Sequence, residues 1–233
     1  MSLFMPVDLA CPFCNETVTM DAVGSVNADR RPDFRDAILD NQFQDATCGA
    51  CGKSFRLQPE FAYLDVGRRQ WIAAMPADRM PYYLKAEDEA RQLFEQSYGA
   101  KAPAAAQAVG NDLDVRITFG WPGLREKLYA RANDLDDAVL EMLKLDLLRE
   151  LPSAPLSPGI ELRLIKLIDD QMAFAWVDAF SEEPVEQLAV RRGWYDQIAA
   201  EAGPWQPTRD KLENGPFVDM QKLYMGQGRA AAG

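Results

Sequence analysis

Residues 16–27, ETVTMDAVGSVN, alternate loosely between β-branched and polar positions, which predicts a strand. A helix should follow. Pro32 suits a first turn, Asp33 and Asp36 suit its positive end, and Phe34, Ile38 and Leu39 fall on one side. Residues 43–47, 54–57, 60–66 and 70–75 read as further short strands, so this part is predicted to be a small antiparallel sheet with one inserted helix. Residues 86–98, AEDEARQLFEQSY, form an acid-led amphipathic helix with Ala90, Leu93 and Phe94 inward, ended by Gly99. The stretch GAKAPAAAQAVGND is low in complexity and reads as a linker. A domain boundary is therefore placed near residue 105, dividing the chain into 1–105 and 106–233.

In the second half, Trp121-Pro122-Gly123 separates a strand at 114–119 from a helix at 124–132. A second helix, 135–151, is capped by Asn133 or Asp134 and repeats Leu135, Val139, Met142, Leu143, Leu147 and Leu151 at helical spacing. That stripe reads as core. Residues 160–167 and 172–180 flank a turn at Asp169-Asp170-Gln171 and form a hairpin. Residues 194–202 make a short helix, 217–224 fit strand or helix equally, and the terminal GQGRAAAG should be mobile. The fold class is α+β: a ribbon-like N-terminal module followed by a mixed helical and β-hairpin domain.

Into this pattern fall the chain's four cysteines, as CPFC at Cys11 and Cys14 and CGAC at Cys48 and Cys51. Two Cys-x-x-Cys hooks supply four soft thiolates, the set required by a tetrahedral structural Zn²⁺. The residue after each hook tends to be left-handed, which Gly52 adopts without steric cost and Asn15 tolerates best among the others. Lys53 places a positive charge near a negatively charged site. A disulfide framework fits less well, because MSLFMPVDLACPFC has no basic start and too short an apolar run for a signal peptide, and a reducing cytoplasm is expected. A redox pair would use one hook and leave the other unexplained. Around a module this small, metal binding and folding are expected to be coupled, so that losing the metal unfolds mainly residues 1 to about 80.

Composition narrows the chemistry. The net charge of −11 opposes binding to phosphate backbones, and residues 1–65 alone hold ten acidic side chains against five basic ones. No apolar run approaches the roughly 20 residues of a membrane span. The absence of histidine removes imidazole triads and HExxH hydrolases. A four-thiolate metal has no open position for water. Carboxylate pairs exist at Asp136-Asp137, Asp169-Asp170 and Glu182-Glu183, but an early helical turn, a hairpin turn and a loop explain them. Trp71, Trp121, Trp176, Trp194 and Trp205 read as core, although Trp194, Tyr195 and Trp205 cluster in a Pro- and Gly-rich region that would form a binding patch if exposed.

CPFCNETV, then SVNADRRPDFRDAILDNQFQDATCGACGKSF, then Phe61-Ala62-Tyr63-Leu64-Asp65 and the segment ending at Met75-Pro76 together resemble the bacterial CpXC family over residues 7–100. The segment FGWPGLREKLYARANDLDDAVLEMLKLDLLRE, with FVDMQKLYM, resembles the helical continuation of longer members. Gly49 stands where the name-giving proline would be, and Asn15 replaces a glycine. The resemblance implies a zinc-ribbon-like domain with Cys11, Cys14, Cys48 and Cys51 as ligands, and it implies no catalytic residue. The expectation is a cytoplasmic interaction or scaffold protein with a structural zinc, its partner another protein or a second copy. The alternatives are an enzyme with a carboxylate site in the C-terminal half, or a nucleic-acid-binding ribbon, which the acidity disfavours.

Overall fold

The computed structural model describes residues 2–155 and 157–225; the terminal GQGRAAAG lies outside them. The chain opens with a hairpin, β1 (Leu3–Ala10) and β2 (Thr17–Asn27), followed by α1 (Pro32–Leu39) and a second hairpin, β3 (Asp45–Thr47) and β4 (Ser54–Arg56). Next come β5 (Phe61–Asp65), β6 (Gln70–Met75), a 3₁₀ turn at Ala77–Tyr82, α2 (Tyr83–Ser97), α3 (Ala104–Gly110), β7 (Asp114–Phe119) and α4 (Gly120–Ala132). The remainder is α5 (Asp137–Glu150), β8 (Ile160–Ile168), β9 (Gln171–Asp178), β10 (Pro184–Arg191), α6 (Arg192–Ala200), α7 (Ala202–Leu212) and α8 (Gln221–Met225). The class is α+β, as the sequence predicts. No helix among the described residues is long and apolar enough to cross a membrane.

The main sheet has the order β1-β2-β5-β6-β7 and is mixed rather than purely antiparallel, because β2 runs parallel to β5 and β6 parallel to β7. Parallel neighbours need crossover connections, which α1 with the β3–β4 hairpin and α2 with α3 provide. Strand β6 is buried along its whole length, as a strand covered on both faces must be. Its side chains divide by the two-residue period of a strand. Trp71, Ala73 and Met75 pack with Tyr83, Ala86 and Ala90 of α2, while Ile72 and Ala74 pack with Ile38 of α1 and Trp121, Leu124 and Leu128 of α4.

Residues on both sides of position 105 therefore share one sheet and both of its cores. The expected linker holds α3, and Trp121 and Pro122, expected to break the chain, occupy the first turn of α4, where a proline costs little. Gly120, at φ +68°, makes the sharp turn from β7 into α4, and a Cβ there would lie 3.2 Å from the Ala179 carbonyl oxygen. On α2 the inward positions are Tyr83, Ala86, Glu87 and Ala90, and Leu93 points outward.

The second sheet, β10-β9-β8, is antiparallel. The expected hairpin is β8–β9, turning at Asp169 with φ +53°. Leu162, Leu164, Phe174 and Trp176 pack on Val139, Met142, Leu143 and Leu147 of α5, so the leucine stripe is core. Helix α5 is capped by Asp136, not by Asn133 or Asp134: its carboxylate accepts from the N–H groups of Ala138 at 2.9 Å and Val139 at 3.1 Å. Strands β1 and β10 and helix α7 had no reading in the sequence, and α3 falls where a linker was expected.

Candidate metal centre

Each Cys-x-x-Cys hook occupies the tip of a hairpin, the first between β1 and β2 and the second between β3 and β4. The two turns repeat one hydrogen-bond pattern. Cys11 N–H donates to the Glu16 carbonyl at 2.8 Å and Asn15 N–H donates to the Cys11 carbonyl at 2.9 Å; Cys48 N–H donates to Lys53 at 2.9 Å and Gly52 N–H donates to Cys48 at 2.8 Å. Asn15 (φ +61°) and Gly52 (φ +71°) are left-handed, as the sequence predicts. Gly49 stands where the first hook has Pro12, and its Cβ position has nothing within 4 Å, so the second turn closes the same way without a proline.

The hooks meet although 33 residues lie between them. The four Sγ atoms fall within 4.8 Å of one another, with Cys11 to Cys51 at 3.8 Å and Cys14 to Cys48 at 3.6 Å. All four cysteines are free of disulfides; Cys11 and Cys48 are buried, and Cys14 and Cys51 lie at the surface. Backbone N–H groups of Cys51 and Ala50 draw the Cys48 thiol down to about 7. At Cys14 the backbone contact at Glu16 pulls downward, but desolvation and the three neighbouring thiols push it up to about 12. Four thiols crowded together cannot all ionise without a cation among them, and this cluster could hold a metal ion. Lys53 from the second hook lies 4.8 Å above the ring of Phe13 in the first, which ties the two tips together.

Contacts of three residues, Gln44, Trp121 and Arg56, hold the second hairpin in place. Gln44, with φ +63°, accepts from Val23 N–H at 2.9 Å and donates to the Asp21 carbonyl at 3.1 Å, fastening the start of β3 to β2. Trp121 Nε1–H donates to the Leu57 carbonyl at 2.9 Å, and its ring meets Phe43 edge-on at 6.1 Å. Arg56 lies 5.5 Å above the Trp121 ring and pairs with Asp45 at 3.0 Å and Glu182 at 3.2 Å. Glu182 also pairs with Arg125 of α4. A motif scan has no signal for these contacts, because each joins segments far apart in the chain.

The remaining chemical candidates are engaged structurally. Asp136 caps α5, Asp137 pairs with Arg116 at 2.8 Å and Lys127 at 3.0 Å, and Asp169 turns a hairpin. The Arg116 and Lys127 charges hold Asp137 well below the usual carboxylate range against the opposing pull of burial. Trp71, Trp121 and Trp176 are fully buried; Trp194 donates to Asp146 at 3.0 Å, Trp205 lies under Arg149, and Tyr195 is buried. The aromatic cluster at 194–205 therefore packs against the C-terminal core rather than standing proud of it.

A family model described as CpXC protein matches residues 9–144 of this chain, a span that takes in both hooks, most of the main sheet, α4 and half of α5. No curated protein and no solved structure matches it.

Proposed function

Since the chain belongs to the CpXC family, we propose that Cys11, Cys14, Cys48 and Cys51 hold one structural Zn²⁺ and that the protein works through contacts with another protein or a second copy of itself. The observation that carries the zinc reading is the length of the sulfur edges. A tetrahedron with zinc–sulfur bonds of about 2.3 Å has sulfur–sulfur edges of about 3.8 Å; two of the six cysteine pairs, both joining one hook to the other, stand at 3.6 and 3.8 Å, and all lie within 4.8 Å. Thiolates filling every tetrahedral position leave none for substrate, so the ion's part is to join two hairpins that bury little apolar surface.

The outer edge of the main sheet supports the second half of the proposal. Strand β1 is the outer strand of its sheet, and Leu3, Phe4 and Met5 are exposed along it, with Phe13 exposed on the neighbouring hook. Such a strand offers unpaired backbone groups beside apolar side chains, which suits a polypeptide better than a small ligand. A net charge of −11 disfavours nucleic acid, and free thiols suit a reducing compartment such as the cytoplasm.

X-ray absorption at the zinc edge of the purified full chain tests the first half. The expected spectrum fits four sulfur neighbours at about 2.3 Å; oxygen or nitrogen in the first shell, or an iron-thiolate visible spectrum, would overturn it. Sizing of the full chain together with recovery of stoichiometric partners tests the second half. A bare monomer with no partner would count against the interaction role and leave the metal assignment standing.

A further inference from the structure

The β1–β2 hairpin that carries the first hook presents an apolar face that lies outside every hydrophobic core of the described residues. Cross-strand partners in an antiparallel ribbon share a face, and the register sets Met5, Val7 and Leu9 beside Ala22, Met20 and Val18. Pro6, Asp8 and Ala10 fall on the other face with Asp21, Thr19 and Thr17. None of the six apolar residues belongs to a core cluster or packs against one, and Met5 is 49% exposed. Met5, Val7, Leu9 and Ala22 line a groove of about 320 Å³, which Leu57, Gln58, Glu60 and Phe61 also line.

The groove offers few free polar groups. Gln44 spends its side-chain amide on Val23 and Asp21, and Gln58 Oε1 accepts from Ala77 N–H at 3.3 Å. Glu60 is exposed and is the charged member of the lining. A small polar ligand would find too little there to orient it, whereas an apolar side chain with a cation beside it matches both the lining and Glu60. The ribbon around the groove is also of one sign. Residues 1–27 contain no lysine or arginine, and their carboxylates, Asp8, Glu16 and Asp21, are all exposed. Among the described residues neither these three nor Glu60 pairs with a basic side chain, whereas Asp45, Asp65, Asp114 and Glu182 all do. Unpaired charges within about a Debye length of the groove act on whatever enters it.

A second copy of this chain suits that face poorly. With a rise of about 3.4 Å per residue and strands about 4.8 Å apart, the face from Met5 to Leu9 covers on the order of 150 Å², far below the about 800 Å² per partner of a stable interface. A copy would also bring the same unpaired carboxylates. A flexible segment of opposite charge has neither difficulty, since it can follow the groove and place its cations on the ribbon's acids. We propose that the groove receives apolar side chains of a short, positively charged segment of another protein, with a lysine or arginine of that segment on Glu60. This rests on the interaction half of the function proposed above and names the chemistry of the partner; it is independent of which metal the cysteines hold.

The test is fluorescence anisotropy of the metal-loaded full chain with three labelled synthetic peptides of equal length, one of leucine and lysine, one of serine and lysine, and one of leucine and glutamate. The leucine–lysine peptide should bind saturably, about tenfold or more tightly than either of the others, and should weaken as salt rises. Val7→Lys, which sets a like charge in the groove, should weaken that binding by about tenfold or more. Glu60→Gln should weaken it by about two- to fivefold, the worth of one exposed ion pair. Glu60 is exposed and unpaired, so this second variant keeps the test decisive should Val7→Lys not fold. Equal binding of either control peptide, parental affinity in both variants, or a parent dimer that Val7→Lys dissociates would overturn the assignment. Stoichiometric partners recovered equally by the parent and by Val7→Lys would overturn it too, while leaving the interaction reading standing.

Discussion

The cysteine centre and the junction of α4, α5 and β8 both crowd charge into a small volume, but they neutralise it differently. At the hairpin tips four thiols face each other with no basic side chain among the described residues bonded to any of them, so a counter-charge for four thiolates there would come from a bound cation. At the junction Glu126, Glu141, Glu161 and Asp219 are buried beside Lys127, Lys144 and Arg163, so the chain supplies its own cations. The first region should therefore respond to metal, and the second should be indifferent to metal and respond to pH through its buried carboxyls. Buried ion pairs are weak evidence for stability, since their desolvation offsets their attraction, but removing one partner is strongly destabilising.

The largest effect should follow from breaking the first region. Cys48→Ser should abolish metal binding and remove hydrogen-exchange protection from the β3–β4 hairpin and from the residues of β1 and β2 nearest the first hook. Strands β5, β6 and β7 should keep theirs, because their partners lie in α2 and α4. The sequence placed the limit of this unfolding near residue 80, whereas the shared sheet brings it forward to about residue 58. Uniform loss of protection would mean that the metal hairpins and the main sheet form one cooperative unit.

The second region should yield to a single side chain. Lys144 is fully buried and bonds Glu126 at 2.7 Å and Glu141 at 2.9 Å. Lys144→Met should cost about 3–5 kcal/mol in urea unfolding, because two carboxylates lose a buried partner. Adding Glu141→Gln should return part of that loss, and strictly additive effects would show that the two groups do not interact.

The pH response sharpens the contrast further. Burial, with the nearby Asp219 and Glu126 charges, raises the Glu141 carboxyl from its ordinary 4.5 to about 7, against the opposing pull of Lys144. A carboxyl with a raised folded-state pKa binds its proton more tightly when folded, so its contribution to stability is complete below about 4.5 and is lost as the pH rises through 7. The parent chain should therefore lose more stability than Glu141→Gln between about pH 5 and pH 8. Equal losses would place the titration elsewhere. The smallest effect belongs to Asp136, whose replacement by Ala removes the cap of α5 and should cost about 1 kcal/mol in the same unfolding measurement, without change in metal content.

Local chemistry was legible in the sequence and long-range pairing was not. The hooks, their left-handed residues at Asn15 and Gly52, helix α1, strand β7 and the β8–β9 turn all rest on interactions within a few residues. Strand β1 was missed because its run contains Pro6 and leaves Leu3, Phe4 and Met5 exposed, so no buried face disciplines its pattern. The parallel pairing of β6 with β7 was missed because a low-complexity stretch looks like a linker even when α3 orders it. The buried ion-pair network went unseen for a similar reason. Glu126, Lys144, Arg163 and Asp219 come from separate parts of the chain, and nothing in their local sequence sets them apart from surface residues.

Native mass spectrometry of the freshly purified full chain beside its Cys14→Ser and Cys48→Ser variants tests most directly whether both hairpin tips grip one ion. The parent chain should carry one zinc per molecule and each variant, having lost a ligand from a different hook, should carry none. A parent chain free of metal, or either variant retaining a full complement, would contradict a shared four-thiolate centre.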